Sequence, residues 1–251
     1  MIVQSLFLFL LLMVFRINAQ NIEIPVGTDY QTIQFKLSRS DVKFQETNSG
    51  KVVISGIKDR SAWSFKKDDA GVLVIEERDY ETRLFSTTAE TTREKLIVKT
   101  PALPLLIVGT DLDVGLEGLK NSIKIVLIKG LVKGFKTQGE LRVFINSGEI
   151  ALDMHQGSLF LNGSQVKVSV KNSSADIKVN NYSGPINLDK NTGHSAISNY
   201  QGAIALNQIT GSSQIELSKG NVQIVQSQGR HDIFTDEANV DLKATKESDF
   251  N

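Results

Sequence analysis

Glycines recur every nine residues along the second half of the chain, and the hydrophobic residues follow the same period. Aliphatic residues usually stand two and four positions after each glycine, as Ile150 and Leu152 do after Gly148. Alternation with a period of two indicates a short strand with one buried face, so each nine-residue unit is predicted to be one strand followed by a turn. Val166 and Ala175 stand where two glycines of the series are missing. The series is Gly130, Gly139, Gly148, Gly157, Gly184, Gly193, Gly202, Gly211, Gly220 and Gly229.

The full repeat is eighteen residues long. Residues 181–188 (NYSGPINL) match residues 199–206 (NYQGAIAL), whereas a shift of nine preserves little more than the glycine. In alternate units the first aliphatic position becomes polar, at Ser195, Ser213 and His231. Two inequivalent strands per repeat predict an all-β, flattened β-solenoid of about eight coils, with two short strands in each 18-residue coil. An antiparallel β-meander of nine-residue hairpin units has the same spacing and is the alternative.

In a parallel solenoid each residue stacks on the residue eighteen positions further on. This stacking places Glu149 beside Lys167, so that opposite charges are neighbours along the sheet. It also predicts a ladder of Asn181 and Asn199 at a turn.

The segment before the repeat has a different pattern. The register can be followed back to Leu96, but runs such as residues 32–37 and 51–57 indicate longer strands outside it. We expect a small β-sheet cap and linker over residues 20–93, pairing onto the first coil and covering its open edge. The β-solenoid repeat domain is predicted to cover residues 94–251.

The first nineteen residues resemble a signal peptide. Residues 6–15 are an uninterrupted apolar run that is too short to span a membrane, and Ile17 and Ala19 occupy the positions that signal peptidase reads. We therefore expect residues 1–19 to be cleaved and the protein to be exported to the periplasm, the outer surface or the medium. Arg16 lies between the apolar run and the cleavage site, so an uncleaved membrane anchor is the alternative.

Composition excludes several classes of partner and of site. The 251 residues include 28 basic and 28 acidic side chains, so no overall positive field favours nucleic acid. There is no cysteine, which excludes disulfides and thiolate metal sites. After residue 20 no apolar run is long enough to span a bilayer, so no transmembrane segment is expected in the mature chain.

Several short segments resemble a known family. They are residues 41–44 (DVKF), 51–56 (KVVISG), 71–76 (GVLVIE) and 96–101 (LIVKTP), followed by the recurrent Gly-x-Ile-x-Leu units. Together they are similar to the bacterial adhesins with β-strand repeats that are related to the GIN head domain family, over most of residues 30–245. The resemblance implies a β-solenoid on the bacterial envelope and no known catalytic residues.

No constellation in the sequence predicts catalysis, a metal or a cofactor. The Gly-Gly-x-Gly-x-Asp turn of calcium-binding β-rolls does not occur. One stacked column holds Asp176, His194 and Ser212, the residue types of a hydrolase triad. Neighbouring rungs align such side chains in parallel and nothing supplies an oxyanion hole, so we interpret the column as a solvated turn. The protein is not expected to be an enzyme.

Apolar side chains at outward positions of the early coils are the candidate contact surface. Val108, Val126 and Phe144 fall in one column, and Phe160 falls in a neighbouring one. Either the N-terminal sheet covers this ridge or the ridge contacts a partner.

The sequence therefore predicts an exported, envelope-associated β-solenoid with an adhesin-like or structural binding role. The expected partner is a protein or glycan at the cell surface. The alternative function is a glycan-binding or polysaccharide-acting domain that uses an outer face of the solenoid. Open sheet edges also make end-to-end self-association possible, although the polar residues 243–251 are suited to a C-terminal cap.

Overall fold

The computed structural model describes residues 20–78 and 93–243, and the proposed signal peptide lies outside them. Within these ranges the chain forms sixteen strands, one turn of 3-10 helix at Arg60–Ala62, and no α-helix. The N-terminal strands are β1 (Gln20–Pro25), β2 (Thr32–Leu37), β3 (Ser40–Glu46), β4 (Lys51–Ile57), β5 (Trp63–Lys67), β6 (Val72–Glu77) and β7 (Glu94–Thr100). The strands of the repeat are β8 (Leu105–Glu117), β9 (Ile123–Phe135), β10 (Gln138–Asp153), β11 (Gln156–Lys171), β12 (Ser174–Ser183), β13 (Ile186–Asp189), β14 (Ser195–Asn207), β15 (Ser213–Val225) and β16 (His231–Lys243).

Strands β8 to β16 pair in parallel, each residue lying opposite the one eighteen positions further on. Ile123 lies opposite Leu141, which lies opposite Leu159. The same register continues to His231 in β16. The fold is a β-solenoid of about eight turns, as the 18-residue period predicts, and the antiparallel meander is wrong.

Each coil has two faces that meet at a corner. In β9, Ile123, Ile125 and Leu127 are buried at alternate positions, but the next buried residue is Val132. The odd spacing from Leu127 to Val132 reverses the phase of the alternation, so the chain turns there. We call the half of each coil equivalent to residues 123–127 the first face, and the half equivalent to residues 131–135 the second face.

The recurrent glycines occupy the bends of the coil because a side chain has no room there. Gly148, at the corner between the faces, has φ of 139°, and a Cβ would lie 1.9 Å from the carbonyl oxygen of Gly130 in the preceding coil. Gly157, in the turn that leads to the next coil, has φ of 126°, and its Cβ would lie 2.3 Å from the carbonyl oxygen of Gly139. The nine-residue spacing therefore alternates between two different bends.

Two corners have a larger residue in place of the glycine. In each of them a glycine stands three residues earlier and leaves room for the larger side chain. Val166 replaces the corner glycine and is buried, and Gly163 stands where neighbouring coils carry a larger inward residue. A Cβ on Gly163 would lie 2.4 Å from Cγ2 of Val166. Leu112 and Gly109 repeat the exchange, with a Cβ on Gly109 placed 2.3 Å from Cδ1 of Leu112.

Strands β2 and β3 form a coil of their own on top of β8. Ile33 of β2 lies opposite Leu105 on the first face, and Val42 of β3 lies opposite Val114 on the second face, all in parallel. The inward residues of this early segment thus join the core of the solenoid.

Strands β6 and β7 form the next coil outward, although both follow β3 in the sequence. Leu73 of β6 lies opposite Ile33, and Leu96 of β7 lies opposite Val42. Strand β3 is therefore inserted between β7 and β8, so the early register is not continuous in space. The antiparallel strands β5, β4 and β1 follow at this end. The division of the chain into domains at residue 93 stays a prediction.

Arg93, just before β7, ties three coils together. Its guanidinium lies 3.3 Å from Asp41, 2.5 Å from Asp111 and 2.7 Å from Asp113. These carboxylates belong to β3 and β8, so one side chain joins the coil of β7 to the two coils beneath it.

A column of buried polar residues fills the turn at the end of the second face. Thr137, His155, Ser173 and Asn191 occupy equivalent positions eighteen residues apart and are all buried. The Thr137 hydroxyl lies 2.9 Å from His155 Nδ1, and the backbone N–H of Ser173 donates to Asn191 Oδ1 over 3.1 Å. The column supplies hydrogen bonds inside a largely apolar core.

Candidate functional site

The predicted contact residues lie together on the outer side of the first face. Val108, Val126 and Phe144 are opposite one another in β8, β9 and β10. All three are half-buried. The column is therefore in register as predicted.

Phe160 belongs to the next coil, two residues before Asn162, which lies opposite Phe144. Its ring nevertheless reaches the column and contacts Phe144. The centroids of Phe144 and Phe160 are 5.5 Å apart with an interplanar angle of 46°. Lys124 Nζ lies 5.5 Å from the centroid of Phe144, within the range of a cation–π contact. We call the surface of Val108, Val126, Phe144 and Phe160 the Phe144 strip.

The described N-terminal strands extend both faces of the solenoid, with β2 and β6 on the first face and β3 and β7 on the second. None of these pairings places a strand over the Phe144 strip. Above Val108 the same column continues with Lys36 and Glu76, whose charged groups are 3.4 Å apart. Trp63 is buried in the core, and Phe65 lies opposite Ile75 and packs against the core in the cap. The ion pair marks the end of the apolar column.

A groove on the second face was not anticipated from the sequence. It has a volume of about 1110 Å³, and its apolar lining includes Ile97, Leu131 and Phe135. Ile97 is 46% exposed and Phe135 is 41% exposed. Gly115 and Ala151 leave space at the middle of the face, and these small outward residues were the available signal. We call this the second-face groove.

Ion pairs border the second-face groove. Lys43 lies 2.6 Å from Glu117, and Glu149 lies 3.2 Å from Lys167, the latter pair as the stacking predicts. Hydrogen bonds from Lys43 and Gln45 lower the pKa of Glu117 below its usual range. These pairs are exposed, so they contribute little to stability and mainly set the charge pattern of the rim.

Asp176, His194 and Ser212 meet on the surface, but not in the geometry of a catalytic triad. Nδ1 of His194 lies 2.8 Å from the Ser212 hydroxyl. The Asp176 carboxylate accepts from the backbone N–H of His194 over 3.1 Å, whereas a triad aspartate binds the imidazole. All three residues are exposed. The column has the character of a solvated turn.

Two tyrosines form a stacked pair at the corner after the first face. The rings of Tyr182 and Tyr200 have centroids 4.9 Å apart and an interplanar angle of 11°, and the residues are 57% and 43% exposed. Asn181 and Asn199 precede them and are buried, each donating its amide to two backbone carbonyls. Asn181 and Asn199 lie opposite each other as the stacking predicts, but their amides bind backbone carbonyls and not each other. The sequence pattern did not predict the tyrosines as a site.

Two histidines are buried in the core. His155 lies in the polar turn column, and His231 lies at the inward position that Ser195 and Ser213 occupy in earlier coils. Burial lowers the pKa of both imidazoles, because a desolvated ring resists protonation.

Within residues 20–78 and 93–243, no three His, Asp or Glu side chains are grouped so that they could hold a metal ion. In the same ranges no helix is both long and apolar enough to cross a membrane.

The fold defines the chain as a β-solenoid. Comparisons with solved structures find matches of low sequence identity and low TM-score. One is named as a "putative adhesin" from Bacteroides fragilis NCTC 9343, with 10% sequence identity and a TM-score of 0.33, over 93% of this chain and 96% of that one. Another is named as a "putative cell adhesion protein" from Clostridium sporogenes ATCC 15579, with 10% identity and a TM-score of 0.32, over 90% of this chain and 99% of that one.

No protein-family model and no curated protein matches the sequence. Membership of the adhesins related to the GIN head domain family therefore stays a prediction. With similarities this low, the function has to be inferred from the residues of the chain itself.

Proposed function

We propose that this protein is an exported, non-catalytic binding scaffold of adhesin-like type, which holds a partner against the outer surface of its solenoid. The observation that carries the proposal is the Phe144 strip. Outward side chains on a solvated sheet face are ordinarily polar, so three apolar side chains in register need a reason. Contiguous apolar surface on a soluble protein is typical of an interaction site.

The rigidity of the solenoid supports a role in presenting a surface. Every coil from β8 to β16 is hydrogen-bonded to its neighbours over most of its length. Outward side chains of successive coils are therefore held at a spacing of about 4.8 Å. A partner that binds such a surface loses little free energy to ordering the scaffold.

The nature of the partner follows from the charge of the protein and from its proposed export. Equal numbers of acidic and basic residues give nucleic acid no electrostatic advantage. The apolar run over residues 6–15 supports export, so the partner is a protein or glycan at a cell surface. We assign the Phe144 strip to a protein partner, because aromatic and aliphatic side chains beside a lysine are typical of protein interfaces.

The test compares two variants with equally mild changes on opposite faces. Phe144→Ser with Phe160→Ser removes the strip, and Leu131→Ser with Phe135→Ser changes the second-face groove as the matched control. Binding of the labelled protein to extracellular-matrix proteins, mucins and isolated cell-wall polymers is measured by biolayer interferometry. Thermal melts establish that both variants are folded.

We expect saturable binding by the unmodified protein and a loss of at least about tenfold in affinity only in the strip variant. Loss only in the groove variant would assign the contact to the second face and refute the strip. Turnover of any polysaccharide, ester or peptide in a hydrolysis panel would refute the non-catalytic role.

A further inference from the structure

The stacked tyrosines present two open aromatic faces. Tyr182 and Tyr200 stack on each other through one face of each ring. In the coils on either side, the equivalent positions carry Ser164 and Ser218, as the flanking register pairs establish. Because serine is small, the outer face of each ring is left accessible beyond the pair.

A column of polar side chains runs beside the tyrosines on the first face. Asn162, Asn180, Ser198 and Glu216 lie opposite one another in consecutive coils. None of the hydrogen bonds within the described ranges uses these four side chains. They offer amide donors and acceptors, a hydroxyl and a carboxylate at a regular spacing of about 4.8 Å.

The tyrosines and this column line one concave surface of about 800 Å³. Phe234, 58% exposed, continues the polar column in the last described coil and lines the same surface. From Asn162 to Phe234 there are four coil steps, or about 19 Å along the solenoid axis. A surface of this length suits several units of a polymer better than one small molecule.

The charge of this surface selects against acidic ligands. Its charged lining residues in the described ranges are Glu216 and Asp236, and no lysine or arginine lines it. A polyanion would therefore meet repulsion with no compensating cation.

These features fit the chemistry of a neutral sugar chain. One side of a pyranose ring carries C–H groups with partial positive charge, which suit the electron-rich face of a tyrosine ring. Its hydroxyl groups both donate and accept hydrogen bonds, as do asparagine and serine side chains. A purely apolar ligand would leave the polar column unused.

We propose that the surface formed by Tyr182, Tyr200, Asn180, Ser198, Glu216 and Phe234, called here the tyrosine surface, binds a neutral glycan chain lying along the solenoid axis. Its polar column continues the column of the Phe144 strip, because Asn162 lies opposite Phe144. The two surfaces share no residue, and the proposed ligands differ, so the site goes beyond the function proposed above.

The test uses soluble neutral polysaccharides, namely arabinoxylan, galactomannan and mixed-linkage β-glucan, with polygalacturonate and heparin as acidic comparators. Affinity electrophoresis and isothermal titration calorimetry measure binding by the full chain. The key variant is Tyr182→Ala with Tyr200→Ala. The matched control is Ile128→Ala, which removes another exposed side chain, 54% exposed, at the equivalent corner position. A second variant, Tyr182→Phe with Tyr200→Phe, keeps the aromatic rings. It tests whether a loss of binding comes from removal of the rings or from any change at these two positions.

We expect at least one neutral polysaccharide to bind, with affinity about tenfold or more weaker in the double alanine variant. The phenylalanine variant should stay within about threefold of the unmodified protein, and Ile128→Ala should bind equally well. Phe144→Ser with Phe160→Ser should also bind normally, so that failure of one proposal is distinguishable from failure of the other. Binding of the acidic polymers alone, absence of binding to every neutral polymer, or unchanged affinity in the double alanine variant would overturn the proposal.

Discussion

Single side chains inside the turn column show how this solenoid accommodates polar groups. His155 is buried next to Thr137, and burial lowers its pKa, as it does for His231. A depressed imidazole pKa means that the unfolded chain binds protons that the folded chain does not. The resulting contribution to stability is complete above the unfolded-state pKa of about 6.5 and is lost as the pH falls towards the folded-state value.

We therefore expect the free energy of unfolding to fall between about pH 7 and pH 5, and His155→Asn to reduce this slope. Asparagine is the residue at the equivalent position 191, so the column has a natural place for it. Urea denaturation at a series of pH values measures the slope. The exposed His194→Asn is the matched control, and an equal slope in the unmodified protein and in His155→Asn would contradict the prediction.

At the scale of a strand and its corner, two positions that are three residues apart share one space in the core. When one position carries a large side chain, the other carries glycine. In β11 the pair is Gly163 with Val166, whereas in β10 it is Ile145 with Gly148. Both arrangements fill the same corner of the core, because the larger residue always points inward. The exchange explains why one glycine of the series is missing without any break in the coil.

The exchange predicts strong coupling between Gly163 and Val166. Gly163→Leu alone should destabilise the protein by about 1–3 kcal/mol, since the new side chain overlaps Val166. Adding Val166→Gly recreates the arrangement of Leu127 and Gly130 at the equivalent positions of β9 and should recover much of this loss. A double-mutant cycle by urea denaturation measures the coupling, which we expect to be about 0.5–3 kcal/mol. Additive effects of the two substitutions would show that the positions do not share volume.

At the scale of the whole molecule, the two ends of the solenoid differ. The N-terminal end finishes in the antiparallel strands β1, β4 and β5. At the other end β16 is the last described strand, and its inward-type residues Val240 and Leu242 are 44% and 42% exposed. Solenoids need polar terminal caps to stay soluble, and the polar tail of this chain, predicted to be that cap, lies outside the described residues beyond Lys243.

We expect removal of residues 244–251 to promote end-to-end association, because the polar tail is predicted to keep other molecules away from the edge of β16 and from Val240 and Leu242. Multi-angle light scattering over a range of concentrations measures the mass. Adding Val240→Lys and Leu242→Lys to the shortened chain should restore the monomer. A shortened chain that stays monomeric at every concentration would show that the tail does not act as a cap.

The sequence by itself determined the repeat, because its physical signals are local. A strand with one buried face needs alternation, and each tight bend needs a residue that tolerates positive φ, so Gly148, Ile150 and Leu152 already reveal the strand and its corner. The 18-residue likeness of segments such as 181–188 and 199–206 favoured parallel stacking over the antiparallel meander, and the strand pairing then excluded the meander. The outward column of Val108, Val126 and Phe144 was predictable for the same reason.

Only the tertiary structure decided what depends on chain order and on surface shape. Strand β3 lies between β7 and β8 because Val42 can fill the same inward position as Leu96 and Val114, and no local pattern distinguishes these aliphatic residues. The second-face groove and the open faces of Tyr182 and Tyr200 likewise depend on small neighbours in adjacent coils. Side chains that are eighteen or more residues apart acquire a common surface only when the coils stack.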